Sequence, residues 1–238
     1  MPKDKHKIHP AFFKAEIFDG MSNEDIAQVS SYFKQREFQR DEYLFHEREA
    51  ARTFYIIMDG QVKILQTSAE GFEVILHVLG EGELIGALPL LAEGTYPAAA
   101  QALTHVVAYA IAAEDFSDLL SLYPPMCVNM LRFATRVLQA SLTKLREMAT
   151  ERVEQRIARA TARLADQIGK ATDEGILLDA PISRQDLAEM TGTTVFAVSR
   201  ILRSWERKHI ISLGREQVIV KQKHELMSIA NGLSRVHT

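Results

Sequence analysis

Val195, Phe196, Ser199, Arg200 and Arg203 share nearly one face of any helix drawn through the stretch VFAVSRILRSWE. The chemistry they offer is recognition of a base-pair edge. An arginine fork matches the two acceptors of guanine, and small or apolar groups match the methyl of thymine. Just before them, in TGTT, stand Thr193 and Thr194. Eight residues upstream of Thr191 comes Ser183, followed by Arg184 and Gln185. A hydroxyl residue at a helix start, with free backbone N–H groups behind it, suits a phosphate through hydrogen bonds and the helix dipole. Base-reading arginines flanked by phosphate-gripping starts are the requirements of a surface that meets double-stranded DNA. The plainer reading is a solvated amphipathic helix.

Such residues need two helices crossing sharply through a short turn. SRQDLAEM predicts the first helix and VFAVSRILRSWERK the second, with Gly192 at the turn between them and Ala188 small where they approach. Val198 and Ile201 predict the buried face of the second helix. Before this pair, ILLDAP reads as a short strand. After it, IISLGREQVIV reads as two short strands turning at Gly214. Together these predict a winged helix-turn-helix, and KATDEG ahead of it reads as a polar turn.

The N-terminal texture differs. Residues 10–33 read as short helices, with Ser22 an N-cap followed by Glu24 and Asp25. From about Phe38 to Ile111, the short runs EYLFH, TFYIIM, QVKILQT, EVILHVL, ELIGAL and HVVAYAI alternate with glycine breaks. Strands at this spacing predict a small barrel or jelly roll. Asp59-Gly60 within YIIMDGQVKI predicts a two-residue hairpin turn.

Between the two regions, AAEDFSDLLSLYPPM predicts a short helix ending before Pro124-Pro125. A long helix over about residues 126–150 follows. Cys127, Leu131, Ala134, Leu138, Ser141, Leu145 and Met148 repeat at alternating steps of four and three, as in a paired helix. Met130, Phe133, Val137 and Ala140 form a second stripe. One stripe can rest on the β domain, and the other predicts a homodimer seam. The alternative is one wide core-facing stripe on a monomer. A further helix is predicted over residues 151–169.

Composition bounds these readings. The chain has 238 residues, 47% apolar and 25% charged, with a formal net charge of −3. No apolar run approaches the roughly 20 residues that span a bilayer, and the N-terminus lacks an apolar signal core, so no membrane partner is expected. A single cysteine, Cys127, excludes an internal disulfide and an all-cysteine iron–sulfur cluster, and a reducing cytoplasm is the expected compartment. Residues 150–238 carry 14 Lys/Arg against 11 Asp/Glu, whereas the remainder is acidic. A mildly basic second region suits an anionic partner. No nucleophile–base pair, metal cluster or phosphate-binding loop appears, so no enzyme and no metal site is expected.

In this order, the strand-rich region, the long helix and the winged helix resemble the catabolite activator/FNR (CRP/FNR) superfamily of bacterial transcription regulators. The resemblance rests on GELIGALPLLAEGTYPAAAQA (Gly82–Ala102) and ISRQDLAEMTGTTVFAVSRILRSWE (Ile182–Glu206) and spans roughly residues 15–225. It implies an α+β chain: a β-roll of cyclic-nucleotide-binding type over 1–123, a dimerisation helix over 124–150 and a winged helix-turn-helix over 151–238. It implies a homodimer on a two-fold operator, RNA polymerase as a partner, and Arg200 as the guanine-contacting residue. Phe196 stands where the family usually has glutamate, which alters the expected half-site.

The resemblance also sets expectations for the effector. Ala87 stands where cyclic-AMP-binding members carry a ribose-binding glutamate, and Pro97 and Ala98 stand where they carry an Arg-Ser pair for the phosphate. A cyclic phosphate buried without a cation leaves an unpaired charge, so a different effector is expected. Gly86, Ala87, Tyr96, Pro97 and Ala98, with His77 on a neighbouring strand, form the expected effector pocket. TYPAAAQA and TGTTVFAVSR are similar to nitrogen-oxide-responsive members, some of which hold haem, with a histidine such as His77 as axial ligand. The competing function is a ligand-sensing module that signals without reading DNA, and the intact Ser199-Arg200 face favours the regulator.

Overall fold

A computed structural model describes residues 8–91, 94–214 and 217–233. The chain divides into two compact units. One comprises Met1–Val62 with Gly80–Gln139, the other Lys63–Leu79 with Ala140–Thr238.

In the first unit, helices α1 (Pro10–Phe13) and α2 (Asn23–Ser30) precede strands β1 (Lys34–Phe38), β2 (Tyr43–Phe45) and β3 (Thr53–Asp59). The strand β4 (Val62–Thr67) and its successor β5 (Glu73–Leu79) form a hairpin assigned, apart from Val62, to the second unit. The first unit resumes with β6 (Leu84–Ile85), α3 (Ala87–Leu91), β7 (Ala99–Ala102), β8 (Val106–Ala112) and α4 (Ala113–Leu122). An antiparallel sheet runs in the order β1-β8-β3-β6, and β2 pairs with β7. The central strand β3 is buried from Phe54 to Met58, so its residues read as a continuous apolar run rather than an alternation. Phe54 meets Phe33 and Phe116 edge-on, and Phe12 packs on Phe18, Phe33 and Tyr109, which seats α1 and α4 on the sheet.

Helix α5 (Pro124–Thr150) begins with its two prolines, where missing N–H groups cost nothing. Met126 and Met130 are fully buried, and the Asn129 amide donates to the carbonyls of Ile17 and Asp19. The boundary between units falls inside this helix.

The second unit continues with α6 (Val153–Gln167), β9 (Gly169–Thr172), β10 (Gly175–Leu178), α7 (Arg184–Thr191), α8 (Val195–Arg207), β11 (Ile211–Gly214), β12 (Gln217–Val220) and α9 (Lys223–Ala230). Its sheet runs β11-β12-β10-β9, and α6 lies against α9. No helix among the described residues is long and apolar enough to cross a membrane.

Several local expectations change. KAT of KATDEG is strand β9, paired with β10, and only Asp173-Glu174 turns. Asp59-Gly60 does not close a hairpin, because β3 pairs with β6 and β8. Gly60 instead holds φ +86°, with His105 O only 2.2 Å from where a Cβ would stand. Strands β1 and β7 and helix α9 carry no pattern that singled them out. The residues 215–216 beside the expected turn at Gly214 lie outside the described residues.

Candidate nucleic-acid interface

The first helix of the pair is closed at its start by a reciprocal cap. Ser183 Oγ accepts from Asp186 N (3.0 Å), while Ser183 N and Oγ both donate to the Asp186 carboxylate (2.8 and 2.5 Å). Both polar groups of Ser183 that sequence reasoning aimed at a phosphate are therefore engaged within the helix. Arg184 beside it is exposed, and the Gln185 amide donates to Glu189 (2.6 Å).

Gly192 ends α7 in the left-handed region, φ +57° and ψ +50°, which lets the chain turn into α8. Two cations brace this turn, and a third pairs near the start of α7. Lys144 Nζ donates to Met190 O (2.6 Å), and the Arg156 guanidinium donates to Thr191 O (2.9 Å) and Gly192 O (3.4 Å). Lys63 of β4 pairs with Asp186 at 3.5 Å, both side chains mostly buried. None of Lys63, Lys144, Arg156 and Asp186 stood out in the sequence. Only Asp186 left a signal, an acid three residues after a serine cap.

Thr194 caps α8, its Oγ1 accepting from Ala197 N (3.2 Å). Val198, Ile201, Leu202 and Trp205 bury one side of α8, and Trp205 Nε1 donates to Glu154 (3.0 Å). This fixes the helix about its axis and turns Val195, Phe196, Arg200 and Arg203 outward, Phe196 being 79% exposed. Ser199 and Thr193 are half-buried at its margin. A phenyl ring this exposed on a helix already packed through its opposite side has no role in the fold.

The residues expected to form the effector pocket fall in both compact units. Gly86, Ala87, Tyr96, Pro97 and Ala98 belong to the first unit, and His77 belongs to β5 in the second. Tyr96 is buried and lies flat on Phe45, ring centroids 3.7 Å apart and 11° between planes. Its hydroxyl donates to Thr53 O (2.5 Å) and accepts from Thr53 N (3.1 Å). Gly86 backs onto this pair, a Cβ there falling 3.0 Å from Tyr96 and 3.2 Å from Phe45. Ala87 and Ala98 are buried and Pro97 is exposed. Burial raises the Tyr96 phenol, and burial followed by Tyr96 raises Tyr55 to about 12, so both are neutral donors at physiological pH.

The cleft around His77 measures about 220 Å³. Cofactor-sized ligands occupy pockets of roughly 300–1,000 Å³, so the residues about His77 do not fit a haem. Cys127 is exposed in the single chain, with Sγ 3.4 Å from Leu120 O.

Family models for a cyclic nucleotide-binding domain and a Crp-like helix-turn-helix domain match residues 35–123 and 155–229. The chain is 28% identical to the cyclic AMP receptor protein of Thermus thermophilus over 218 residues, 92% of this chain and 98% of that protein. It is 31% identical to the cAMP-activated global transcriptional regulator CRP of Salmonella typhimurium over 179 residues, 74% of this chain and 84% of that protein. The structure of FixK2 from Bradyrhizobium japonicum shares the fold with a TM-score of 0.75, at 17% identity over 83% of this chain and 96% of that one. The chain belongs to the CRP/FNR superfamily of bacterial transcription regulators, with a helix-turn-helix DNA-binding domain and a sensor domain of the cyclic-nucleotide-binding type, and is not an enzyme.

Proposed function

We propose that the protein is a homodimeric, sequence-specific transcription regulator that reads a two-fold operator through α8 and answers to an effector other than cyclic AMP. The functional segments are 1–123, 124–150 and 151–238, a division that the family matches at 35–123 and 155–229 support. The carrying observation is the outward face of α8, where Phe196, Arg200 and Arg203 are exposed beside a helix start capped by Thr194. Arg200 reads a guanine, and Phe196 rests against a thymine methyl. Arg184, Gln185, Thr193 and the N–H groups at the start of α8 hold phosphates, with Ser183 ordering the start of α7. RNA polymerase is the partner through which such a regulator acts.

The test is binding-site selection on the wild type and on Arg200→Ala and Phe196→Glu. Arg200→Ala costs about 1–3 kcal/mol on the selected site and little on random DNA. Phe196→Glu shifts one position per half-site toward cytosine, whose amine donates to a carboxylate. An unchanged selected sequence for Arg200→Ala would remove α8 as the reading element.

The effector reading rests on Ala87, Pro97 and Ala98, and on the Tyr96–Phe45 stack that occupies the space behind Gly86. Cyclic AMP binds no tighter than about 1 mM, near −4 kcal/mol. Calorimetry returning a micromolar constant would show that another cation meets the phosphate.

A further inference from the structure

Within the second unit, β5, the C-terminal half of α5, α6 and the end of α7 enclose a cleft of about 220 Å³. One part of its wall is apolar, from Leu76, Leu164 and Met190. The other part is basic, from His77, Lys144 and Arg163.

The charges there do not cancel. Glu147 is buried and is the carboxylate beside Arg163, which grips it with one nitrogen at 2.7 and 2.9 Å. Arg159 shares the same carboxylate at 3.5 Å. Lys144 donates to the Met190 carbonyl and feels the Glu147 charge through space, but it forms no ion pair with a carboxylate among the described residues. The His77 imidazole has no hydrogen-bond partner among the described residues. A buried cation without an anion costs free energy, and Arg163 close to Lys144 adds to that cost. The crowding acts on the protonation of these groups. Burial, then Lys144 and Arg163, holds His77 below its ordinary value, and burial, then Arg163, lowers Lys144 to about 8.

We infer that this cleft is a binding site for a small amphipathic anion, its carboxylate or phosphate head placed among Lys144, His77 and Arg163 and its short apolar body against Leu76, Leu164 and Met190. A head group there supplies a counter-charge for Lys144, and the short body covers the apolar wall. The cleft joins the hairpin strand β5 to the helix whose end leads into the turn at Gly192. Occupancy therefore ties the hairpin to the DNA-reading helices, a regulatory input beyond the reading given above and independent of the β-roll residues around Tyr96.

The test titrates the full chain with hexanoate and with phenyl phosphate, using hexanol as the uncharged analogue, by calorimetry. At least one anion binds, at least about tenfold tighter than hexanol, and the stronger of the two identifies the head group. His77→Ala, which removes no hydrogen bond, and Arg163→Gln each weaken that anion several-fold, and Lys144→Gln weakens it about tenfold. Lys208→Gln, at the far end of α8, leaves it unchanged. Fluorescence of Trp205, the single tryptophan, checks that each variant keeps the fold. No anion binding, equal binding of hexanol, or an unchanged constant in both His77→Ala and Arg163→Gln overturns the site. Because DNA selection is measured without these compounds, failure here is distinguishable from failure of the DNA-reading function.

Discussion

At the scale of single residues, Lys144 ties function to stability. Its ammonium holds the end of α7 through Met190 O and lines the basic cleft. Burial, reinforced by Arg163, lowers its folded-state pKa to about 8, whereas an unfolded lysine titrates near 10.4. Below about pH 8 both states carry the proton, and the folded state bears the whole cost of burying the charge. Between about pH 8 and 10.4 the unfolded chain still binds the proton that the folded chain has lost. Stability therefore rises with pH across that window. Lys144→Met abolishes the linkage. Urea unfolding followed by Trp205 fluorescence, which reports on the second unit alone, is expected to show the wild-type midpoint climbing relative to Lys144→Met from about pH 7.5 to about pH 9.5. Parallel midpoints over that range would mean that Lys144 bears no burial cost.

At the scale of elements, legibility followed the source of the structural information. Helices α7 and α8 were readable because a cap, a glycine turn and a 3.6-residue apolar period coincide within a short span. Strand β3 was readable as a long apolar run. Strand β1, KQREF, was not, because four of its five residues are exposed and its place is set by pairing with β8. Strand β7, AAQA, has too little side chain to show a pattern and gains its identity from β2. The Asp59-Gly60 pair misled for a related reason. Its dipeptide fits a hairpin, but the positive φ at Gly60 serves a close pass over His105 O, a long-range fact invisible in local sequence. The candidate site divides in the same way. The outward face of α8 follows from its own period, so Arg200 and Phe196 could be named. Lys63 and Arg156 act through partners far along the chain, Asp186 and the carbonyls of Thr191 and Gly192, and nothing local marks them.

At the scale of the whole molecule, the proposed homodimer rests on one surface of α5. Leu131, Leu138 and Leu145 are 59–70% exposed, and Val128, Leu142 and Met148 beside them are also open to solvent. Six large apolar side chains along a single helix form a stripe that monomeric proteins rarely leave uncovered. The buried side of the same helix is occupied by Met126, Asn129 and Met130, and Met148 lies against Gly192, so Leu131, Leu138 and Leu145 are not needed to seat α5 on its own chain. In the proposed homodimer a second copy of α5 would cover it with matching chemistry at the heptad steps from Cys127 to Met148, and Cys127 and Ser141 would then be buried in the pair. Fully burying one leucine contributes about 1.5–3 kcal/mol. Leu138→Glu places a carboxylate at the centre of the seam, facing its own copy across the two-fold axis, and neither charge has a partner there. Sedimentation velocity is expected to find this variant monomeric at concentrations where the wild type and Leu138→Met are dimers. The monomer should also bind a full operator much more weakly while keeping its preference for the half-site sequence, since linking two readers raises affinity without changing what each one reads. A stable dimer in Leu138→Glu would assign the two-fold contact to another surface.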